Sequence, residues 1–524
     1  ESQEPVKEMD FLGITLQYEM CYTNILQILE LSQIPLLAAE RGEDMPVVIG
    51  GGPCTYNPEP IADFFDLFYI GEGETQYRRL LDWYVENRKQ GGTRQEFLRG
   101  AAQIPGIYVP QFYEELYHED GTISGRRKLY EELPDRVRKE IVTDVSDTYY
   151  PLKPVVPFIK VTQDRVVLEI QRGCIRGCRF CQAGQIYRPV RERDAEVLKK
   201  YAVEMLANTG HEEISLSSLS SSDYSRLDEL LEFLIEECGR KHINISLPSL
   251  RIDAFSLDVM SKVQDVKKSS LTFAPEAGSQ RLRDVINKGL TEEVILKGAA
   301  LAFEGGWTRV KLYFMLGLPT ETEEDIRGIG ELSNKIAATF FETVPKDRRV
   351  NGKVQIVTST SFFIPKPFTP FQWASMCTKE EFLEKAYQTK KGIMEQLNQK
   401  SIKYNWHEAD VSVLEGVFAR GDRRIAQVIL AAYRRGCLFD SWSEYFKNDV
   451  WLQCFEDCGV DIGFYTTRER ADDEIFPWDF IDCGVTRQFL LREWKKAQEG
   501  VVSPNCQTQC QGCGAGTFQC GICP

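Results

Sequence analysis

Between residues 160 and 375 the apolar positions of the chain change period repeatedly. Short apolar or alternating runs stand at VVLEI (166–170), EEISLSSLS (212–220), INISLPSL (243–250), SSLTFAPE (269–276), RVKLYFMLGLP (309–319) and KVQIVTSTSFF (353–363). Between them apolar residues recur every three or four positions, in DAEVLKKYAVEML (194–206), YSRLDELLEFLIEE (224–237) and EEVILKGAALAF (292–303), which is the period of an amphipathic helix. A capping box, Thr320-x-x-Glu323, predicts the start of another helix. Strand and helix in strict alternation predict an α/β fold with a parallel sheet. Six such units predict a partial (βα)6 barrel, with functional groups at the C-terminal ends of its strands.

The flanks read differently. In residues 1–90, EMDFLGITLQYEM (8–20), MPVVIGGGPCTYNPEP (45–60) and DLFYIGEGE (66–74) are strand-like runs that end in turns, two of them rich in glycine. This is the pattern of a Rossmann-like sheet, where glycine lets a ligand or a neighbouring backbone approach closely. Residues 91–160 read as a connector with a β-hairpin around Glu119-Asp120-Gly121. The barrel spans 161–376 and closes with FFIPKPFTPFQWASM (362–376). A helical C-terminal domain is expected over 377–500, and a Cys-rich tail over 501–524.

At 524 residues the chain has room for roughly two to four domains. Its 63 Lys and Arg against 78 Asp and Glu give a net charge of −15, which argues against a generic polyanion binder while allowing a local basic patch. Arg420, Arg423, Arg424, Arg434 and Arg435 form the one dense basic stretch. Two readings stay open for it: ion pairs with Asp422 and Asp440 on a solvated helix face, or a phosphate site. No apolar run of about 18 residues exists, so no membrane-spanning helix is expected. The first residue is Glu rather than Met, so the natural N-terminus and any targeting segment are expected to lie outside this sequence.

Sixteen cysteines are not spread as in a disulfide scaffold; three lie at 174–181 and five at 506–523. Clustered thiolates at fixed spacing read as metal ligands in a reducing compartment, here the cytoplasm. RGCIRGCRFCQAG (172–184) presents Cys174, Cys178 and Cys181 as C-x3-C-x2-C. A four-iron cluster normally takes four thiolates; three leave one iron open to another ligand. Gly173, Gly177 and Gly184 are expected to let the loop curl back through left-handed backbone. A zinc site is the alternative, but no second Cys pair or His lies nearby in sequence to complete it. The tail repeats the spacing with Cys506, Cys510 and Cys513, and Cys520 and Cys523 add a C-x2-C pair. An auxiliary iron–sulfur cluster and a zinc knuckle of Cys510, Cys513, Cys520 and Cys523 both remain open there.

CIRGCRFC after a first barrel strand resembles the radical S-adenosylmethionine (radical SAM) superfamily, over residues 160–375. The resemblance implies a [4Fe–4S] cluster whose open iron chelates the amino and carboxylate groups of SAM, and reductive cleavage of SAM to a 5′-deoxyadenosyl radical. FAPEAGSQRLRDVINKG (273–289) is similar to the motif in which a Glu, here Glu276, holds the SAM ribose. MLGLPTET (315–322) resembles the Gly-Leu-Pro turn near the adenine, which implicates Gly317. The strand ends SLSSLSSSD (215–223) and SLPSLRID (246–253) offer Ser218 and, as a bidentate partner for the SAM carboxylate, Arg251. The serines of 217–222 could equally cap the following helix, and Arg251 could sit in a surface ion pair.

The N-terminal glycine turns resemble the cobalamin (B12)-binding domain of cobalamin-dependent radical SAM enzymes. By that resemblance Thr15, Gly50, Gly51, Gly52 and Gly71 would line the cobalamin tail pocket. The first strands of such a module are missing from the sequence, and there is no D-x-H-x-x-G motif to supply a His beneath the cobalt. CRFCQAG, YRPVRER (187–193) and the Cys-rich C-terminus together resemble one subgroup of these enzymes. The implied activity is methyl transfer through methylcobalamin to an unactivated carbon; the extra helical domain and the Arg-rich segment favour RNA or protein as substrate, whereas the acidic surface would suit a small molecule. The activity further implies an electron donor such as flavodoxin or ferredoxin. The rival readings are a methylthiotransferase-like or rearrangement enzyme using an auxiliary cluster, and a non-catalytic redox or cobalamin sensor. No catalytic side chain beyond the cofactor ligands is identifiable.

Overall fold

The computed structural model describes residues 3–159, 161–246, 271–349 and 353–523. The chain forms two compact units, each assembled from three separate stretches.

The first unit comprises Glu1–Val142, Ile364–Lys379 and Glu408–Val485. Its sheet runs in the order β1 (Phe11–Thr15), β2 (Val47–Gly51), β3 (Leu67–Tyr69), β4 (Ile107–Tyr108). The first three strands are parallel, and β4 is antiparallel to β3. The apolar run of β2 and β3 is buried on both faces, as a parallel sheet requires. Antiparallel β5 (Tyr113–Tyr117) and β6 (Ile123–Lys128) make the expected hairpin, with Thr122 N–H donating to the Asp120 carboxylate at 2.9 Å in its turn. The short strand β7 (Val137–Arg138) pairs in parallel with Ile481–Asp482.

Residues 408–485 therefore do not make an independent helical domain; their helices pack into the N-terminal unit. The physical reason is a buried charge network. Arg423 donates to Glu59 at 2.9 Å and to the Tyr108 hydroxyl at 2.9 Å, and Arg126 also pairs with Glu59, whose side chain is fully buried. Arg420 gives its guanidinium to the carbonyls of Thr466, Gln372 and Ala374, Arg424 pairs with Asp422, and Arg435 pairs with Asp457. The basic stretch is thus an ion-pair and carbonyl-binding scaffold. Asp440, expected as an arginine partner, instead accepts from Thr23 at 2.7 Å and Trp451 at 2.9 Å.

The second unit comprises Thr143–Phe363, Glu380–His407 and Thr486–Pro524. It opens with β8 (Val166–Glu169), β9 (Gln171–Arg172), β10 (Arg191–Glu192), β11 (Glu213–Ser217) and β12 (Asn244–Ser246). β8, β11 and β12 form a parallel sheet in the order β12-β11-β8, and β9 pairs with β10 in an antiparallel ribbon. A second sheet holds β13 (Leu271–Glu276), β14 (Arg309–Leu316), β15 (Gln355–Phe362) and β16 (Ile402–Trp406) in sequential order, all parallel. Among the described residues each of the six expected runs holds a strand, with 247–250 and 269–270 lying outside them, and β16 adds a further parallel strand. Helices Ala195–Thr209, Leu227–Lys241, Glu292–Glu304 and Glu323–Thr343 occupy the connections. Asp194 caps the first of these through Glu196 N–H.

The capping box before Glu323–Thr343 is formed by Thr322 and Asp325 rather than Thr320 and Glu323. Thr320 has φ of 65°, still in the turn, so the helix cannot start there. Among the described residues no helix is long and apolar enough to cross a membrane.

Two outcomes follow from this packing. At Gly71 φ is +117°, and an added Cβ would fall 2.1 Å from the Glu140 carbonyl oxygen. Gly71→Ala is expected to cost at least about 1–3 kcal/mol in denaturant unfolding. Gly51→Ala, with open space around its Cβ, should stay within about 0.5 kcal/mol of wild type. The second outcome concerns Glu115, whose carboxyl is pushed up to about 7 by burial and then by neighbouring Glu59, with Arg126 only partly offsetting them. A carboxyl raised in the fold contributes stability that is complete below its ordinary value of 4.5 and is lost as pH rises through about 7. Thermal unfolding midpoints of wild type should therefore decline with pH across that window more steeply than those of Glu115→Gln. Superimposable profiles would mean that Glu115 is already ionised in the fold.

Candidate functional site

The three-thiol loop follows β9 at the C-terminal side of the first barrel strand. Gly173 makes the turn possible: its φ is +84°, and a Cβ there would lie 2.7 Å from the Tyr187 carbonyl oxygen. Gly177 and Gly184 were expected to share that left-handed role and do not. Gly177 leaves room for the Asn287 amide, 2.9 Å from where its Cβ would be, and Gly184 donates its N–H to Cys181 Sγ at 3.3 Å.

The loop is locked on both sides of its cysteines. Arg179, with a fully buried side chain, donates to the Val285 carbonyl at 2.9 Å and the Val501 carbonyl at 2.6 Å, and pairs with Glu493 at 3.1 Å. Its own N–H bonds the Ile286 carbonyl at 3.0 Å. Asn287 donates its side-chain amide to the Gly177 carbonyl at 3.1 Å. Arg176 reaches the other way to Asp223, donating through Nε at 2.8 Å, and Ser220 Oγ donates to the same carboxylate at 2.7 Å. Backbone N–H groups aim at sulfur as well, with Arg176 N–H lying 3.4 Å from Cys174 Sγ.

The three thiols share one electrostatic neighbourhood. Burial, followed by the nearby Cys178 thiol, pushes the Cys181 thiol up to about 12; the Gly184 N–H and Lys288 act in the opposite direction. Among the described residues no three Cys, His, Asp or Glu side chains converge closely enough to hold a single metal ion. A cubane would place each thiolate on a separate iron, and Cys174, Cys178 and Cys181, neighbours on one hydrogen-bonded loop, are the residues that could hold it.

Glu276 ends β13, where the register with β14 shifts between Phe273 and Glu276. Its φ is 67°, unusual for a residue with a side chain, and such strain concentrates where geometry serves function. Lys288 Nζ lies 3.0 Å from Glu276 Oε1 and 5.8 Å from the centre of the Phe180 ring, inside the cysteine loop. The pair therefore places a carboxylate beside the thiols. Gly317 follows β14; its N–H donates to Glu321 Oε2 at 2.9 Å, and that carboxylate also takes Lys385 at 2.9 Å. Ser218 shares a hydrogen bond with Ser221 Oγ at 3.0 Å and accepts from Ser220 N–H at 3.2 Å, so it shapes the turn after β11. Arg251 lies outside the described residues.

In the first unit, Thr15 and Gly51 pair across β1 and β2 at the C-terminal edge of the sheet. Thr15 is exposed, and nothing lies within 4 Å of a Cβ at Gly51. The other three glycines are occupied by the protein itself. A Cβ at Gly50 would meet the Phe68 ring at 2.6 Å, one at Gly52 the Leu16 carbonyl oxygen at 2.8 Å, and one at Gly71 the Glu140 backbone. They serve close chain packing rather than an open cradle. Two adjacent open positions at a parallel-sheet edge still fit a flat ligand laid against the backbone.

Sequence reasoning passed over Lys288, Arg176, Arg179 and Arg188, although all four lie inside motifs singled out for other residues. Cations interleaved with the cysteines were the available signal.

Residues 1–110 match the model of radical SAM proteins, N-terminal, and residues 168–332 match the radical SAM superfamily. The chain is 32% identical over 461 residues to Uncharacterized protein MJ0966 of Methanocaldococcus jannaschii, covering 88% of each. It is 28% identical over 169 residues to Putative methylthiotransferase MJ0865 of the same organism, a match spanning 30% of this chain and 37% of that protein. Among solved structures, the cobalamin-dependent S-adenosylmethionine radical enzyme OxsB aligns with a TM-score of 0.43 at 12% identity, over 94% of this chain and 70% of that one. The three-thiol loop lies within the matched radical SAM segment: the chain is a radical SAM enzyme and belongs to one family with Uncharacterized protein MJ0966.

Proposed function

We propose that this radical SAM enzyme is cobalamin-dependent and transfers a methyl group to an unactivated carbon of its substrate. The observation that carries the SAM half of this reading is the juxtaposition of the three-thiol loop with Glu276, held in left-handed backbone and paired with Lys288; the open Thr15 and Gly51 positions support the cobalamin half. When bound, SAM on a three-thiolate cluster supplies a carbon-centred radical on reduction, and cobalamin supplies a methyl carrier.

The chain's own residues do the holding. Cys174, Cys178 and Cys181 would hold the cluster, three thiolates for four irons, with one iron left to SAM. Glu276 accepts from the ribose hydroxyls, as a carboxylate can from two donors at once. Lys288 positions Glu276, Arg251 is assigned to the SAM carboxylate, and Ser218 and Gly317 border the nucleoside through the turns they shape. In the first unit, Thr15 and Gly51 are the positions assigned to cobalamin. Reduction draws on a low-potential donor such as flavodoxin or ferredoxin, in a reducing cytoplasm.

A second reading rests on the stretch of 169 residues shared with Putative methylthiotransferase MJ0865 and on the five tail cysteines. In it, radical chemistry proceeds without methyl transfer through cobalamin.

Anaerobically reconstituted protein, loaded with cobalamin and given a reductant and labelled SAM, separates these readings by mass spectrometry. Formation of both 5′-deoxyadenosine and S-adenosylhomocysteine is the expected result. S-adenosylhomocysteine formed equally well without cobalamin, the methyl group passing to sulfur instead, would favour the second reading, and neither product would favour a sensor. In the same assay Glu276→Gln should lower deoxyadenosine formation about 10- to 100-fold, the worth of a charge-assisted hydrogen bond. Its iron content should equal that of wild type, because Glu276 holds SAM and not the cluster.

A further inference from the structure

The Cys-rich tail folds back onto the cysteine loop of its own unit. Cys506 N–H donates to the Ile175 carbonyl at 3.0 Å, between Cys174 and Cys178, and Ile522 N–H donates to the Val190 carbonyl at 3.2 Å. At Gly521 the backbones come so close that a Cβ would fall 1.9 Å from the Val190 carbonyl oxygen. Thr486 N–H holds the Cys513 carbonyl at 2.9 Å. Seated this way, Cys513 is buried while Cys510 remains exposed.

Cys523 feels Cys513, Cys506 and Cys510 electrostatically, which puts these four thiols in one neighbourhood, and Cys520 adjoins it through a backbone bridge to Cys523. Gly512 N–H lies 3.5 Å from Cys510 Sγ, the same spacing of two residues that Arg176 N–H uses toward Cys174 Sγ. Such N–H groups directed at sulfur tune iron–sulfur centres. Arg188, 4% exposed, ties the two thiol sets together. It hydrogen-bonds the Cys513 thiol and lies within electrostatic reach of Cys506 and Cys174. It also donates to the carbonyls of Gly184 at 2.9 Å and Arg176 at 3.2 Å, both in the cysteine loop.

We propose that Cys506, Cys510, Cys513 and Cys523 hold a second, fully thiolate-ligated iron–sulfur cluster beside the SAM-binding one, with Arg188 as the cation shared by both. Two features favour a cluster over zinc. Cys506, Cys510 and Cys513 repeat the C-x3-C-x2-C spacing of the cysteine loop. The ligand set thereby crosses the two C-x2-C pairs that a zinc knuckle would take whole. With four thiolates and no open iron, this cluster cannot chelate SAM; its chemistry is that of an electron store. The proposal rests on the radical SAM reading only for the identity of its neighbour.

The test uses the full chain, reconstituted anaerobically with iron and sulfide and assayed for iron, sulfide and zinc. Wild type should hold about eight irons and eight sulfides and no stoichiometric zinc. The triple variant Cys174→Ala, Cys178→Ala, Cys181→Ala should keep about four of each and show a reduced-cluster EPR signal that SAM does not perturb. Cys510→Ser combined with Cys513→Ser should lose half the iron and keep a signal that SAM does perturb. Cys523→Ser should behave as that double variant, and Cys520→Ser as wild type. Arg188→Gln should keep the full iron content and move a cluster midpoint potential to more negative values. An iron-free triple variant, or wild type with about four irons and one zinc, overturns the proposal. Failure of SAM to perturb any signal would instead count against the radical SAM reading and leave the tail's iron count standing.

Discussion

The buried guanidinium of Arg179 is the interaction on which the functional half of the molecule depends. It stands between Cys178 and Cys181 and spends its donors on Val285, Val501 and Glu493. Those partners lie on two stretches far from the loop in sequence, so one side chain fixes the cysteine loop, the segment after β13 and the start of the C-terminal tail together. A charge taken out of water is tolerated only when its donors are satisfied and a counter-charge is near. Glu493 supplies that charge and is itself held by Lys496 at 3.0 Å and Ser503 at 2.9 Å. Removing either partner would leave an uncompensated charge beneath the loop.

Around that anchor the unit gathers cations, although the chain as a whole carries −15. Arg176, Lys288 and Arg188 all border the cysteine loop, and each has a second commitment, to Asp223, to Glu276 and to the tail thiol of Cys513. Thiolates assembled in a partly desolvated loop repel one another, and positive charges at their edge offset that repulsion. The same cations place Glu276 and the tail where a cofactor on the loop would meet them.

The first unit solves a different problem with related means. Glu59 is fully buried and lies among Arg126, Arg423 and Tyr108, which joins residues from the N-terminal module and from the stretch after 408. Close backbone contact at Gly52 and Gly71 fixes the turns after β2 and β3, leaving Thr15 and Gly51 open at the sheet edge.

Periodicity alone determined the six barrel strands, the helices between them, the glycine-ended strands of the first unit and the hairpin near Gly121, because each rests on local apolar spacing and turn chemistry. The C-x3-C-x2-C spacing likewise put three thiols on one loop, since all of them fall within eight residues. IKYNW (402–406) alternates as a strand should, yet its place beside β15 was obscured by the helical stretches on either side. Only the tertiary structure decided that residues 408–485 join the N-terminal unit, that Gly50, Gly52 and Gly71 are filled by Phe68, Leu16 and Glu140, and that the tail rests on the cysteine loop. Each of these depends on contacts between residues remote in the chain, which burial and charge pairing select and local pattern does not encode.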